Sequence, residues 1–202
     1  MKLFEVYPLY NVTPVRAKDV FVYDQHNKEY LDLYEGHAVI SIGHSHPHYV
    51  EKIKQQLMQI GFYSNAIQNP LQQKLADAIG EQSCLHEHKL FLCSTGAEAI
   101  ENALKLASFH TNRKKIIAFH NAFHGRTSAA VAVTDNPGIN APLNKQQEVT
   151  FLPFNDEKAL HQALATKEYC AVIFEGIQGV GGLDQPSEGF VLTMERLCKK
   201  FG

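Results

Sequence analysis

The sequence predicts an α/β protein with a mixed, mostly parallel sheet, and three observations carry that reading. Ile116-Ile117-Ala118-Phe119, Ala129-Ala130-Val131-Ala132-Val133, Val149-Thr150-Phe151-Leu152 and Ala171-Val172-Ile173-Phe174 are continuous apolar runs, as in strands buried on both faces. Stretches of helical periodicity lie before, between and after them, and that alternation is the α/β pattern. A chain of 202 residues with 45% hydrophobic content can bury a substantial core.

Taken in order, residues 1–14 form an extended aromatic arm, because Pro8 and Pro14 prevent continuous helix around Tyr7 and Tyr10. Val20–Tyr23 and Glu29–Leu33 flank the polar turn Asp24–Lys28 and read as a hairpin. Pro47 sits at a favoured first-turn position of an amphipathic helix over His48–Ile60. Asn69-Pro70 opens a second helix, with Leu71, Leu75, Ala78 and Ile79 on one face and Gly80 as its stop. Lys89–Cys93 reads as a short strand. Asn155 is the expected cap of a helix through Leu160, Ala163 and Leu164, and Thr193 that of a last helix holding Leu197, Cys198 and Phe201. That last helix would ordinarily feed another strand, so the fold reads as incomplete.

The most informative stretch is Ser94-Thr95-Gly96-Ala97-Glu98 and the helix it opens. Thr95 and Glu98 have capping-box spacing, which fixes the helix start. Ile100, Leu104 and Ala107, with Ala97 and Ala103, give one apolar face. The first free amides belong to Gly96 and Ala97, whose lack of bulk lets a phosphate approach the positive end of the helix dipole. Small residues also open ordinary helices, so this stretch alone leaves both readings open.

Composition excludes several classes. A formal charge of −2 offers no basic surplus for nucleic acid, and Arg113-Lys114-Lys115 reads as a solvated cluster. No apolar run has the length of a membrane span, and Met1–Glu5 lacks a signal-peptide layout, so a cytoplasmic protein is expected. Cys84, Cys93, Cys170 and Cys198 lack metal spacing and read as reduced core thiols. His44-Ser45-His46-Pro47-His48 and His86-Glu87-His88 lack the i, i+4 pairing of zinc enzymes, and no Gly-x-Ser-x-Gly elbow is present, so neither a metal nor a serine nucleophile is expected.

Polar segments end or precede strands at Phe123-His124-Gly125-Arg126-Thr127 and at Glu175-Gly176-Ile177-Gln178-Gly179-Val180-Gly181-Gly182. On residue type alone, Phe123 reads as core packing and Arg126 as a structural ion pair. Together with Asn11-Val12-Thr13-Pro14-Val15-Arg16, Gly43-His44-Ser45-His46-Pro47 and Ser94–Glu98, however, these segments resemble the class-III, fold-type-I aminotransferases, and within them the acetylornithine branch. The resemblance covers essentially the whole chain. It implies the amino-terminal half of a pyridoxal 5′-phosphate enzyme and the following roles. Gly96 and Ala97 would hold the cofactor phosphate, Phe123 would stack on its ring, and Arg126 would bind the substrate α-carboxylate; Ser94, Thr95 and Glu175 would support them. It further implies a homodimer and two segments: an arm, hairpin and first helix over 1–62, contributing to the small domain and dimer contacts, and the first part of the cofactor-binding large domain over 63–202.

The implied reaction is transfer of the distal amino group of N2-acetylornithine or N2-succinylornithine to 2-oxoglutarate, in arginine biosynthesis. Ornithine and 4-aminobutyrate are alternative donors, and an inactive cofactor-binding chain is the alternative outside catalysis. Two departures from the family pattern stand out. Val180 occupies a position that is usually acidic, where relatives pair a carboxylate with an arginine from the carboxyl-terminal half. The Schiff-base lysine and the aspartate facing the pyridine nitrogen are expected beyond Gly202, so no catalytic lysine is assigned within the chain.

Overall fold

Strand β4 (Lys115–Phe119) is the centre of the larger of two sheets, with β5 (Val149–Leu152) on one side and β6 (Tyr169–Val172) on the other, all parallel. Because successive side chains of a strand point to opposite faces, β4 feeds two separate cores. Ile117 and Phe119 pack with Leu160 and Leu164 of α6 (Glu157–Ala165) and with Phe190, Met194 and Leu197 of α7 (Glu188–Phe201). Ile116 and Ala118 pack with Leu104 of α4 (Gly96–Thr111) and with Val133, at the end of α5 (Ser128–Ala132). The result is a helix–sheet–helix sandwich in which β4 is almost wholly buried.

This computed structural model describes residues 1–202, which divide into two compact units, Met1–His86 and Glu87–Gly202. The first unit holds an antiparallel meander of β1 (Pro14–Lys18), β2 (Phe21–Asp24) and β3 (Glu29–Leu31). It continues through α1 (Glu35–Ala38), a single turn with positive φ at all four residues, to α2 (Pro47–Gln59) and α3 (Pro70–Ser83). The Asp24 carboxylate closes the hairpin turn by accepting from the amides of His26 (2.8 Å) and Lys28 (2.9 Å) and from the Tyr30 hydroxyl (3.0 Å). Asp32 does the same for the left-handed turn, accepting from the amides of Tyr34 and Glu35 and pairing with His44 Nε2 at 2.7 Å.

Several sequence expectations need correction. Ala129–Val133 lies mostly in helix α5: alanine favours helix over strand, and the Ala130 amide is capped by the Glu101 carboxylate (3.0 Å). Leu90–Leu92 is not a strand, since a strand exists only within a ladder and this run pairs with nothing, leaving Phe91 63% exposed. Helix α7 starts at Ser187, whose hydroxyl accepts from the Phe190 amide (3.2 Å), so Thr193 lies inside the helix. Helix α6 is capped by Asp156, while Asn155, at φ 64°, accepts from the Ser187 amide (2.8 Å).

Gly80 does not end α3, because Cys84 takes the left-handed position and the Gly80 carbonyl accepts from the Cys84 and Leu85 amides. Cys84 and Cys93 are exposed and only Cys170 and Cys198 are partly buried; all four are free thiols. The basic cluster is engaged: Arg113 donates to the carbonyls of Tyr169 (3.2 Å) and Phe201 (3.3 Å), Lys114 pairs with Glu148, and Lys115 pairs with Glu168 (2.8 Å). No helix is long and apolar enough to cross a membrane.

Candidate active site

Helix α4 leads into β4 through Asn112–Lys114, so it runs back along the strand and its first turn returns to the strand's carboxyl end. That is the end at which parallel α/β sheets collect ligands. The capping box is complete: the Thr95 hydroxyl accepts from the Glu98 amide (3.1 Å), and Glu98 Oε2 accepts from the amides of Ser94 (2.7 Å) and Thr95 (3.1 Å). The Gly96 and Ala97 amides remain as the open donors of the first turn, and a Cβ built on Gly96 would meet nothing within 4 Å.

The loop after β4 closes onto this turn at Gly125. Its φ is +131°, and an added Cβ would stand 3.0 Å from the Ala97 Cβ and 3.1 Å from that of Ala130, so glycine is needed for both backbone shape and approach. Thr134, buried behind the loop, accepts from the His124 amide (2.9 Å) and lies within donating distance of the Gly125 carbonyl (3.1 Å). Glu101, one turn further along α4, accepts from the Thr127 hydroxyl (2.8 Å) as well as from the Ala130 amide.

The loop after β6 joins the same end. Half-buried Glu175 accepts from the Phe123 amide at 2.9 Å and from the Gly179 amide at 3.3 Å, tying the two strand-end loops together. The structure therefore brings Gly96, Ala97, Phe123, Arg126, Glu175, Ser94 and Thr95 into one neighbourhood; Phe123 is half-buried and Arg126 exposed. Val180 is 72% exposed on the second loop. The His124 imidazole is buried with Nε2 unpartnered; burial holds its pKa below the ordinary histidine value, with the Glu175 carboxylate pulling the other way. Glu101 and Thr134 escape sequence reasoning, since a helix glutamate and a lone threonine carry no distinctive spacing. No group of three or more potential metal-ligating side chains converges.

The aminotransferase class-III family model matches residues 5–202. Acetylornithine aminotransferase of Bacillus amyloliquefaciens is 36% identical over 98% of this chain and 86% of that protein. The Bacillus subtilis and Archaeoglobus fulgidus proteins of the same name are also 36% identical, over 98% and 99% of this chain but 51% and 53% of their own lengths. The chain thus spans about half the length of these latter two relatives. Ornithine aminotransferase from Toxoplasma gondii superposes with a TM-score of 0.86 at 25% identity, over 98% of this chain and 48% of that one. An S-selective transaminase from Arthrobacter shares the fold, with a TM-score of 0.83 at 20% identity, over 96% and 49%.

Class-III aminotransferases are pyridoxal 5′-phosphate enzymes, and the residues here fit that group. Open space at Gly96 admits a phosphate to two unpaired amides, and the Phe123 loop is anchored beside it. With the family model matched from residue 5 to the last residue and the same loops gathered at one end of the sheet, the chain belongs to the class-III aminotransferase family.

Proposed function

We propose that the chain serves transamination of an N2-acylated ornithine, acetyl or succinyl, with 2-oxoglutarate as acceptor, giving the N-acylglutamate semialdehyde and glutamate. The observation that carries this reading is the convergence of the α4 first turn with the Phe123–Arg126 loop, fastened by Gly125 against Ala97 and by Glu175 to the Phe123 amide. The name shared by the curated relatives supports the substrate class. Pyridoxal 5′-phosphate, when bound, supplies the electron sink that transamination requires.

The chain's own residues bind and orient. The Gly96 and Ala97 amides hold the phosphate at the positive end of α4, where the dipole amounts to about half a unit charge. The Phe123 ring would hold the cofactor ring in place by aromatic contact. Arg126 takes the substrate α-carboxylate in its planar fork, leaving the distal amine to react. Burial lowers the His124 pKa, which favours the neutral imidazole within the loop, with the Glu175 carboxylate pulling the other way. Residues 1–62 supply small-domain and dimer contacts in this reading.

The covalent lysine is supplied from outside residues 1–202. Lys105 is the nearest lysine after the phosphate turn, and it lies about 13 Å along α4 from Gly96 at ~1.5 Å per residue. Ornithine as donor is a second reading, favoured by the superposition on the Toxoplasma enzyme.

The test is an amino-transfer assay to 2-oxoglutarate with N2-acetylornithine, N2-succinylornithine, ornithine and 4-aminobutyrate. It is run with the chain alone and with the chain mixed with the carboxyl-terminal half of the Bacillus subtilis relative. The expected result is no turnover alone and a preference for the acylated donors in the mixture. Faster transfer from ornithine would favour the second reading. Turnover by the chain alone, with one lysine trapped stoichiometrically by borohydride, would overturn the assignment of the lysine.

A further inference from the structure

We propose that Gln178 is a positioning residue that sets the height of the Phe123 loop over the sheet. Its side chain is 1% exposed, and its Nε2 donates to the His120 carbonyl at 2.7 Å, three residues before Phe123. Its Oε1 is buried and has no partner.

A half-satisfied carboxamide at this depth is costly, because the unpaired oxygen has lost its water, and an apolar side chain of similar volume would avoid that loss. The carboxamide therefore earns its place through the one bond it makes. That bond holds a carbonyl that the parallel ladder leaves free: the His120 amide is already committed to the Leu152 carbonyl (2.9 Å) at the end of β5. The backbone around Gln178 is fixed in turn, its amide donating to the Asp184 carbonyl (2.8 Å) and its carbonyl accepting from the Leu183 amide (3.0 Å).

A second contact seats the same two loops. A Cβ at Gly181 would fall 2.5 Å from the Asn121 carbonyl oxygen, so the loop after β6 lies flat against the residue that follows His120. Gln178 to His120, Gly181 against Asn121 and Glu175 to Phe123 form three successive ties along one seam. Of the two side-chain ties, that of Gln178 is the uncharged one and comes from the more deeply buried side chain, so it fixes spacing with little screening on the donor side.

The functional part of this inference rests on the proposed placement of Phe123 against the cofactor ring. Its test uses Gln178→Met, which keeps the volume and removes the donor, and Gln178→Asn, which keeps the amide and withdraws it by one methylene. Amide exchange is read at Phe123 and His124, with Ile117 as the core reference. Pyridoxal 5′-phosphate is then added, and both the induced circular dichroism of its ring and the 31P shift of its phosphate are recorded.

The expected result is Phe123 exchange about 5- to 30-fold faster in either variant, the ratio that corresponds to one or two kcal/mol. Ile117 protection and the 31P shift should be retained, while the ring dichroism is lost. Faster exchange with no ring dichroism even in the unmodified chain would support the tie and count against the placement of Phe123. Unchanged Phe123 exchange in both variants would overturn the proposal. So would loss of Ile117 protection in both, which would make Gln178 an ordinary core residue.

Discussion

The two units of the chain are held together by different physics. In Glu87–Gly202 every strand of the sheet contributes to a two-sided apolar core, and Ile117, Ala118 and Phe119 are completely buried. In Met1–His86 the one buried side chain is a carboxylate, Asp24, while the apolar stripes of α2 and α3 are exposed, with Ile53 at 46% and Leu75 at 45%. The first unit is thus pinned by polar anchors, Asp24 in the hairpin and Asp32 at the left-handed turn, each accepting several hydrogen bonds. The difference teaches where precision resides: the loops of the candidate site hang from the unit with the close-packed core.

The largest expected contrast is in core truncation. Phe119→Ala removes a wholly buried ring stacked on Phe154 and edge-on to Phe190, and should cost about 3–5 kcal/mol by urea unfolding. Leu57→Ala, at a side chain 64% exposed, should stay within about 0.5 kcal/mol. Equal costs would break the comparison.

A smaller contrast uses two glycines that both have positive φ. Gly125→Ala meets the Ala97 and Ala130 side chains as well as backbone strain, and should cost about 1–3 kcal/mol while weakening pyridoxal 5′-phosphate binding. Gly36→Ala has open space around it and should cost about 1 kcal/mol, the strain alone. Thermal melts of the two variants decide whether packing around the loop matters beyond φ.

The smallest effects sharpen the comparison through pH. For His124, burial lowers the folded pKa, so as pH falls through about 6.5 the unfolded chain takes up the proton first and the second unit loses stability from there downward. For Asp24, burial alone would raise the pKa, but the Lys28 and His26 amides and the Tyr30 hydroxyl outweigh it; for Asp32, the His44 hydrogen bond leads a net lowering. Stability from these carboxylates is present above about pH 4 and is lost as pH falls through their lowered values. Amide exchange should therefore loosen β4 first and the hairpin only in stronger acid, and His124→Gln should remove the first step. Flat protection of β4 from neutral pH to pH ~5 would contradict the buried-histidine contribution.

Much of this was legible in the sequence where a local rule decides the outcome. Thr95 and Glu98 announce the capping box by spacing, and β4 and β5 announce themselves by unbroken apolar runs. The strand misassignments have a common cause, which is that pairing and burial are set by distant residues. Ala129–Val133 carries the apolar density of a strand, and it is Glu101, 29 residues earlier than Ala130, that caps it as helix. Leu90–Leu92 has strand composition without a ladder partner. Pro14–Lys18 pairs as β1, and its alternation of Val15 and Ala17 with Arg16 and Lys18 is short and opens on a proline, which masks it beside the aromatic arm. The seven candidate residues were marked by family resemblance as well as by chemistry. Thr134 is isolated in sequence, and Gln178 lies in the Glu175–Gly182 segment with no role assigned to it there; the role of each becomes visible only through the contacts it makes.

The most direct test of the central claim, that the α4 first turn and the Phe123 loop form one cofactor seat, is an amide-resolved titration of the chain with pyridoxal 5′-phosphate. Saturable shifts should appear at Gly96 and Ala97, together with Phe123, while α2 and α3 stay silent. Unshifted Gly96 and Ala97 at saturation, or shifts centred on the first turn of α3 instead, would contradict it.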